Sequence, residues 1–180
     1  MSTKSANPKD VRARIIAGAL AVLSKDGMLG LTQPRVAKAA KVRQSHLTYY
    51  FPTRSDLHAA VFAAVAERLL AAFDASLPDL AQIASPEQTR LLLSLVLAAD
   101  REPAVRKLFR DLTRKVRRRI ADGLASSGVS SDAANVAMMH ALGVGLAVLD
   151  LARAEPASRR ELAITKTVAV NALKRSGRKK

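Results

Sequence analysis

The sequence predicts an all-α protein in two parts, and three observations carry that prediction. Apolar residues recur at three- and four-residue spacing along almost the whole chain, and no segment alternates with the two-residue period of a strand. Ala and Leu dominate the 49% apolar content while β-branched runs are scarce, a mix that favours helix over sheet. The helices also change character near Arg54: those before it are short and joined by close turns, those after it are long. With 180 residues the chain has room for one large domain or two small ones and a real hydrophobic core.

Each element has a local reason. The first helix is expected over residues 10–25, where Ile15, Ile16, Ala19, Leu20 and Leu23 form one stripe and Gly27 supplies the stop. Thr32 is placed to cap a short helix over 33–40, with Pro34 tolerated in its first turn. A tight turn leads to a third helix over 44–50, which Pro52 ends because proline disfavours the helical conformation of the residue before it. A long helix capped by Thr53 or Ser55 is expected to reach Leu77, before Pro78. Ser85 and Pro86 open a helix to Ala99, and Pro103 opens another to Ser126. Asp132 caps a helix through Ala154, and Ser158 caps a last one to Lys174, followed by a disordered basic tail over 176–180.

Composition narrows the function classes. A formal net charge of +15 and a pI near 11.1 point to a polyanionic partner, most often nucleic acid and sometimes an acidic membrane surface. The N-terminus lacks the apolar core of a signal peptide. The longest apolar run, Val136 to Leu149, is short for a bilayer span and is interrupted by His140. These features predict a soluble, cytoplasmic protein with no membrane role. Without cysteine there are no disulfides, zinc–thiolate sites or Cys nucleophiles. His46, His58 and His140 lack metal-ligand spacing, and no G-x-S-x-G or phosphate-cradling loop occurs. Asp100 and Glu102 flank a helix start, where carboxylates complement the helix dipole. No catalytic residue, metal or cofactor is expected, and the chain does not read as an enzyme.

The informative stretch is RQSHLTYYFPTR, Arg43 to Arg54. The chain has six aromatics and three of them, Tyr49, Tyr50 and Phe51, stand together here among basic and hydrogen-bonding side chains. Two short helices joined by a tight turn and braced by an apolar third form a helix-turn-helix, whose second helix can enter the DNA major groove. Val36, Ala37 and Ala40 can pack on the first helix, and Val42 and Leu47 can anchor the second, leaving Gln44, Ser45, His46, Thr48 and Tyr49 outward.

Over roughly residues 10–60 this pattern resembles the TetR family of transcriptional regulators. The matching residues are Ile15-Ile16, Ala19, Gly27, Leu31-Thr32, Val36-Ala37, Ala40, Val42, Leu47, Tyr50-Phe51, Thr53-Arg54 and Leu57. Three positions depart from it: Lys41 stands where glycine is common in the turn, Arg43 where a Ser or Thr cap is usual, and Thr48 where tyrosine is common. The resemblance implies a DNA-binding domain over residues 1–54 and a ligand-binding and dimerisation domain over 55–180. It implies that Thr32, Gln33, Tyr50 and Arg54 meet phosphates, that Gln44, Ser45, His46, Thr48 and Tyr49 face bases, and that Arg43 joins this DNA-facing set. Phe51 would lock the reading helix onto its domain.

The same resemblance implies a homodimer, paired through the last two helices on a palindromic duplex operator, that represses transcription until a small molecule releases it. For such an effector the second domain offers Leu69, Phe73, Leu92, Val96, Phe109, Leu112 and Met138, with His140 as the polar exception. His140 reads first as a core histidine with a backbone partner, and as a ligand contact second. Ala133, Ala137, Ala141 and Gly145 form a small-residue column suited to a core or dimer seam. Arg106, Lys107, Arg110, Arg114, Lys115, Arg117, Arg118 and Arg119 crowd one helix, either as a solvated face or as an anion-binding one. The competing function class is a basic interaction protein that binds nucleic acid or anionic membrane without sequence preference.

Overall fold

In the computed structural model, residues 8–71 and 85–177 are described; they form eight helices and no strand. They are α1 (Pro8–Gly30), α2 (Gln33–Ala40), α3 (Gln44–Tyr50), α4 (Arg54–Ala71), α5 (Pro86–Arg101), α6 (Pro103–Ser126), α7 (Ala133–Arg153) and α8 (Pro156–Gly177). The expected end of the fourth helix near Leu77 lies outside the described residues. One compact unit comprises the chain through Glu67 together with Arg90–Phe109; the other comprises Arg68–Thr89 and the chain from Arg110.

In the first unit α1 packs against α2 and α3. Ile15, Ala19 and Leu23 are buried from α1, whereas Ile16 and Leu20 of the same stripe are half-buried. Val36, Ala37 and Ala40 meet them from α2 and Leu47 from α3, all buried. The approach of α1 to α2 is close enough to demand glycine: a Cβ on Gly18 would stand 2.7 Å from the Ala40 nitrogen. Gly27 breaks α1 where a stop was expected, and its φ of +66° is the reason, since open space surrounds it.

The helix ends follow the sequence with three corrections. Thr32 has the extended backbone of a cap, and its carbonyl accepts from the Val36 N–H at 2.9 Å, but its hydroxyl makes no cap bond. Pro34 explains part of this, because it removes one of the two N–H groups a capping oxygen can meet. The last helix begins at Pro156 rather than beyond Ser158, using proline's preset φ at a helix start. Ser176 and Gly177, expected in the tail, complete α8, and 178–180 lie outside the described residues. Elsewhere Ser85 Oγ accepts from Gln88 N–H at 3.2 Å, and Asp132 Oδ1 from Asn135 N–H at 2.8 Å.

In the second unit α7 packs on α8 through Ala147 and Leu162, and Arg153 pairs with Glu161 across the turn between them. The 21 residues of α7 are long and apolar enough by length and composition to cross a bilayer, a correction to the shorter run read from sequence. Only 22% of its most apolar window is buried within the chain. Met138 and Leu149 are about half-exposed, Ala141 and Gly145 exposed, and Ile164 and Val168 of α8 more than half-exposed. The small-residue column is therefore no core seam of a single chain.

Candidate nucleic-acid interface

The turn between α2 and α3 sets the direction of the reading helix. Lys41 takes the left-handed conformation, φ 54° and ψ 45°, that glycine commonly supplies there. Its N–H donates to Lys38 O at 3.2 Å and the next N–H, of Val42, to Ala37 O at 3.0 Å, the paired bonds of a Schellman ending. A lysine costs about 1–2 kcal/mol in this region relative to the right-handed one. Arg14 offsets part of that cost: its guanidinium donates to the carbonyls of Ala40 and Lys41 at 3.1 and 2.8 Å, tying α1 to the turn. Sequence reading missed Arg14, because a basic residue on an exposed helix face carries no local mark of a distant partner.

α3 then presents one side to the core and the rest to solvent. Leu47 is fully buried, Val42 half-buried, and Phe51 at the end of the helix is 2% exposed. Arg43, Gln44, Ser45, His46, Thr48 and Tyr49 are all exposed, as the spacing predicts. Arg43 has the extended backbone of a cap but no side-chain cap bond. The Thr48 hydroxyl donates to the Gln44 carbonyl at 3.0 Å, so its proton is occupied within the helix and its methyl remains available. Tyr49 is 79% exposed and stands edge-on to the half-buried Tyr50, with ring centroids 5.2 Å apart. The Arg12 guanidinium lies 5.4 Å from the centre of the Phe51 ring, close enough for a cation–π contact.

The start of α4 borders this face. Thr53 and Asp56 cap it reciprocally: Asp56 N–H donates to Thr53 Oγ at 3.1 Å, while the Thr53 hydroxyl and N–H donate to Asp56 Oδ2 at 2.7 and 3.0 Å. The hydroxyl bond first, and the backbone bond second, hold the Asp56 carboxyl below its usual value. Arg54 is exposed and donates through Nε to His58 Nε2 at 3.3 Å. Thr32 is exposed and Gln33 half-buried at the start of α2.

The residues nominated for a ligand differ in burial. Leu112 is buried; Leu69, Leu92, Phe109 and His140 are half-buried. Val96 and Met138, expected inside, lie at the surface with 41% and 45% exposure. Met138 belongs to the uncovered face of α7, and Val96 neighbours the still more exposed Leu97 on α5. Phe73 lies outside the described residues. A shallow pocket on α7 and α8 is lined by Leu146, Leu149, Asp150, Arg153, Glu161 and Leu162, none of them nominated. Among the described residues no group of three His, Cys, Asp or Glu side chains could hold a metal ion.

Comparison with known proteins agrees with this geometry. Residues 15–61 match the family described as bacterial regulatory proteins, tetR family, and residues 57–170 match the tetracyclin repressor-like C-terminal domain. The HTH-type transcriptional regulator CymR of Pseudomonas putida is 27% identical over 148 residues, covering 72% of this chain and 73% of CymR. A transcriptional regulator from Rhodococcus sp. Rha1 superposes with a TM-score of 0.77 at 18% identity, over 91% of this chain and 96% of that one. The multidrug binding protein EbrR, solved with imidazole, superposes with a TM-score of 0.61 at 26% identity, over 84% and 92%. The two family matches together span most of the chain, and with the helix-turn-helix geometry they make it a DNA-binding transcriptional regulator rather than an enzyme: the chain belongs to the TetR family.

Proposed function

We propose that this regulator is a sequence-specific repressor acting as a cytoplasmic homodimer on a palindromic operator. The reading helix supports it best: α3 is held by Leu47 and Phe51 while Gln44, Ser45, His46, Thr48 and Tyr49 remain exposed. In this reading the DNA-binding part is residues 1–54, with Thr32, Gln33, Arg43, Tyr50 and Arg54 on the sugar–phosphate backbone and the outward face of α3 on base edges. Residues 55–180 carry dimerisation and effector binding. The uncovered apolar face of α7 and α8 supports pairing with a second copy, since a protein in water seldom leaves Met138, Leu149, Ile164 and Val168 exposed together.

Release by a small apolar effector is the second part of this reading. EbrR is described as a multidrug binding protein, and within the second unit Leu69, Leu112 and His140 are buried or half-buried, two apolar side chains and one polar ring. The test of the central reading is selection of bound duplexes from a random DNA pool. A two-fold symmetric sequence with half-sites about 34–36 Å apart, one helical turn, is the expected product. Recovery of unrelated duplexes in proportion to their input would instead favour the basic, sequence-indifferent binder.

A further inference from the structure

We infer that His58, oriented by Glu102, is a positioning residue that holds Arg54 in the geometry for its phosphate contact; this rests on the DNA-binding role given to Arg54 above. His58 was passed over in the sequence because it has no ligand spacing. In the structure its side chain is 2% exposed, and its two ring nitrogens are both engaged. Nε2 accepts from Arg54 Nε at 3.3 Å, and Nδ1 lies 2.7 Å from Glu102 Oε1. The Phe62 ring stands edge-on to it, with centroids 6.0 Å apart.

The tautomer follows from the partners. An arginine Nε–H can only donate, so Nε2 must offer a lone pair and the ring proton must sit on Nδ1, where it donates to the Glu102 carboxylate. Glu102 occupies the single residue between α5 and α6, so its position is set by two helices rather than by its own flexibility. The consequence is at the far end. With Nε anchored, the two terminal amino groups of Arg54 have no partner among the described residues and form the fork that matches two phosphate oxygens. A free arginine would have to lose its rotamer freedom on binding; this one has lost part of it beforehand.

A double-mutant cycle on a duplex carrying the selected sequence, with dissociation constants read at fixed salt, tests the inference. Arg54→Ala should weaken binding about tenfold or more, as for a lost charge-assisted contact. His58→Leu, close in size and without ring nitrogens, should weaken it about three- to tenfold, and Glu102→Ala by a similar factor. In the Arg54→Ala background both should change nothing further, because the group they position is gone. His58→Gln, whose amide oxygen can stand near Nε2, should restore part of the affinity. Glu102 is partly exposed, so its variant keeps the inference testable should His58→Leu fold poorly. If Arg54→Ala binds normally, the phosphate role fails and the inference with it. If Arg54→Ala weakens binding but the His58 and Glu102 effects persist unchanged in that background, Arg54 keeps its role and the positioning inference is overturned.

Discussion

The helix-turn-helix and the α7–α8 pair are built from the same helical material with opposite faces outward. In the first, Ile15, Ala19, Leu23, Val36, Leu47 and Phe51 are buried within the chain, and the outward side of α3 is polar or aromatic. In the second, α7 and α8 share a modest internal core and leave Met138, Leu149, Ile164 and Val168 exposed. A satisfied core with a hydrogen-bonding exterior suits a partner that must be read and released. An unsatisfied apolar face suits a partner of the same kind that stays.

Introducing charge on the apolar face should give the largest effect. Ala141→Glu places a carboxylate on the exposed side of α7 and should convert the proposed homodimer to monomers or aggregates, read by sedimentation. A dimer of unchanged affinity would break the contrast outright. Gly18→Ala attacks the other region: with a Cβ 2.7 Å from the Ala40 backbone, α1 and α2 must separate. A cost of about 1–3 kcal/mol in stability is expected, with loss of DNA binding but retention of the dimer. Lys41→Gly should do the reverse to the same turn, raising stability by about 0.5–1 kcal/mol in urea unfolding, as relief of the left-handed strain exceeds the added freedom of the unfolded chain.

The smallest effect is one of pH. Burial first, and the Arg117 charge second, hold the His140 ring below its ordinary value of 6.5. The unfolded chain therefore takes up a proton that the folded one resists, so the stability of the neutral ring is present above about pH 6.5 and is lost as pH falls below it. His140→Gln should flatten that part of the pH–stability curve. An unchanged slope would mean that the ring is more open than its half-buried position indicates.

Sequence legibility divides along the same line. The bounds of α2 and α3 match the expected segments because proline, cap positions and close turns mark every end within a few residues. The exposed set on α3 was readable for the same reason: a helix of seven residues held by Leu47 has little choice of face. Lys41 shows the limit of residue habit, since a non-glycine occupies the left-handed position once Arg14 and the Schellman bonds support it. Arg14, Gly18 and His58 were not legible, because what they do depends on residues 22 to 44 positions away that no local pattern names. Glu102 read as a dipole complement and is instead the partner of His58. The effector residues were chosen for being apolar on helices, a property shared by core, pocket and dimer face alike, and Met138 shows how these diverge.

The most direct measurement compares affinity for the selected duplex with that for a scrambled duplex of equal length at fixed salt, in wild type, Tyr50→Phe and Gln44→Ala. Wild type should prefer the selected duplex by about a thousandfold or more. Tyr50→Phe should weaken both duplexes alike, by about 0.5–1.5 kcal/mol, because a phosphate contact carries no sequence. Gln44→Ala should lower the preference itself, by about 1–3 kcal/mol at one base position, and leave the scrambled duplex nearly unchanged. A wild-type ratio near one, or a Gln44→Ala loss equal on both duplexes, would contradict a base-reading role for the exposed face of α3.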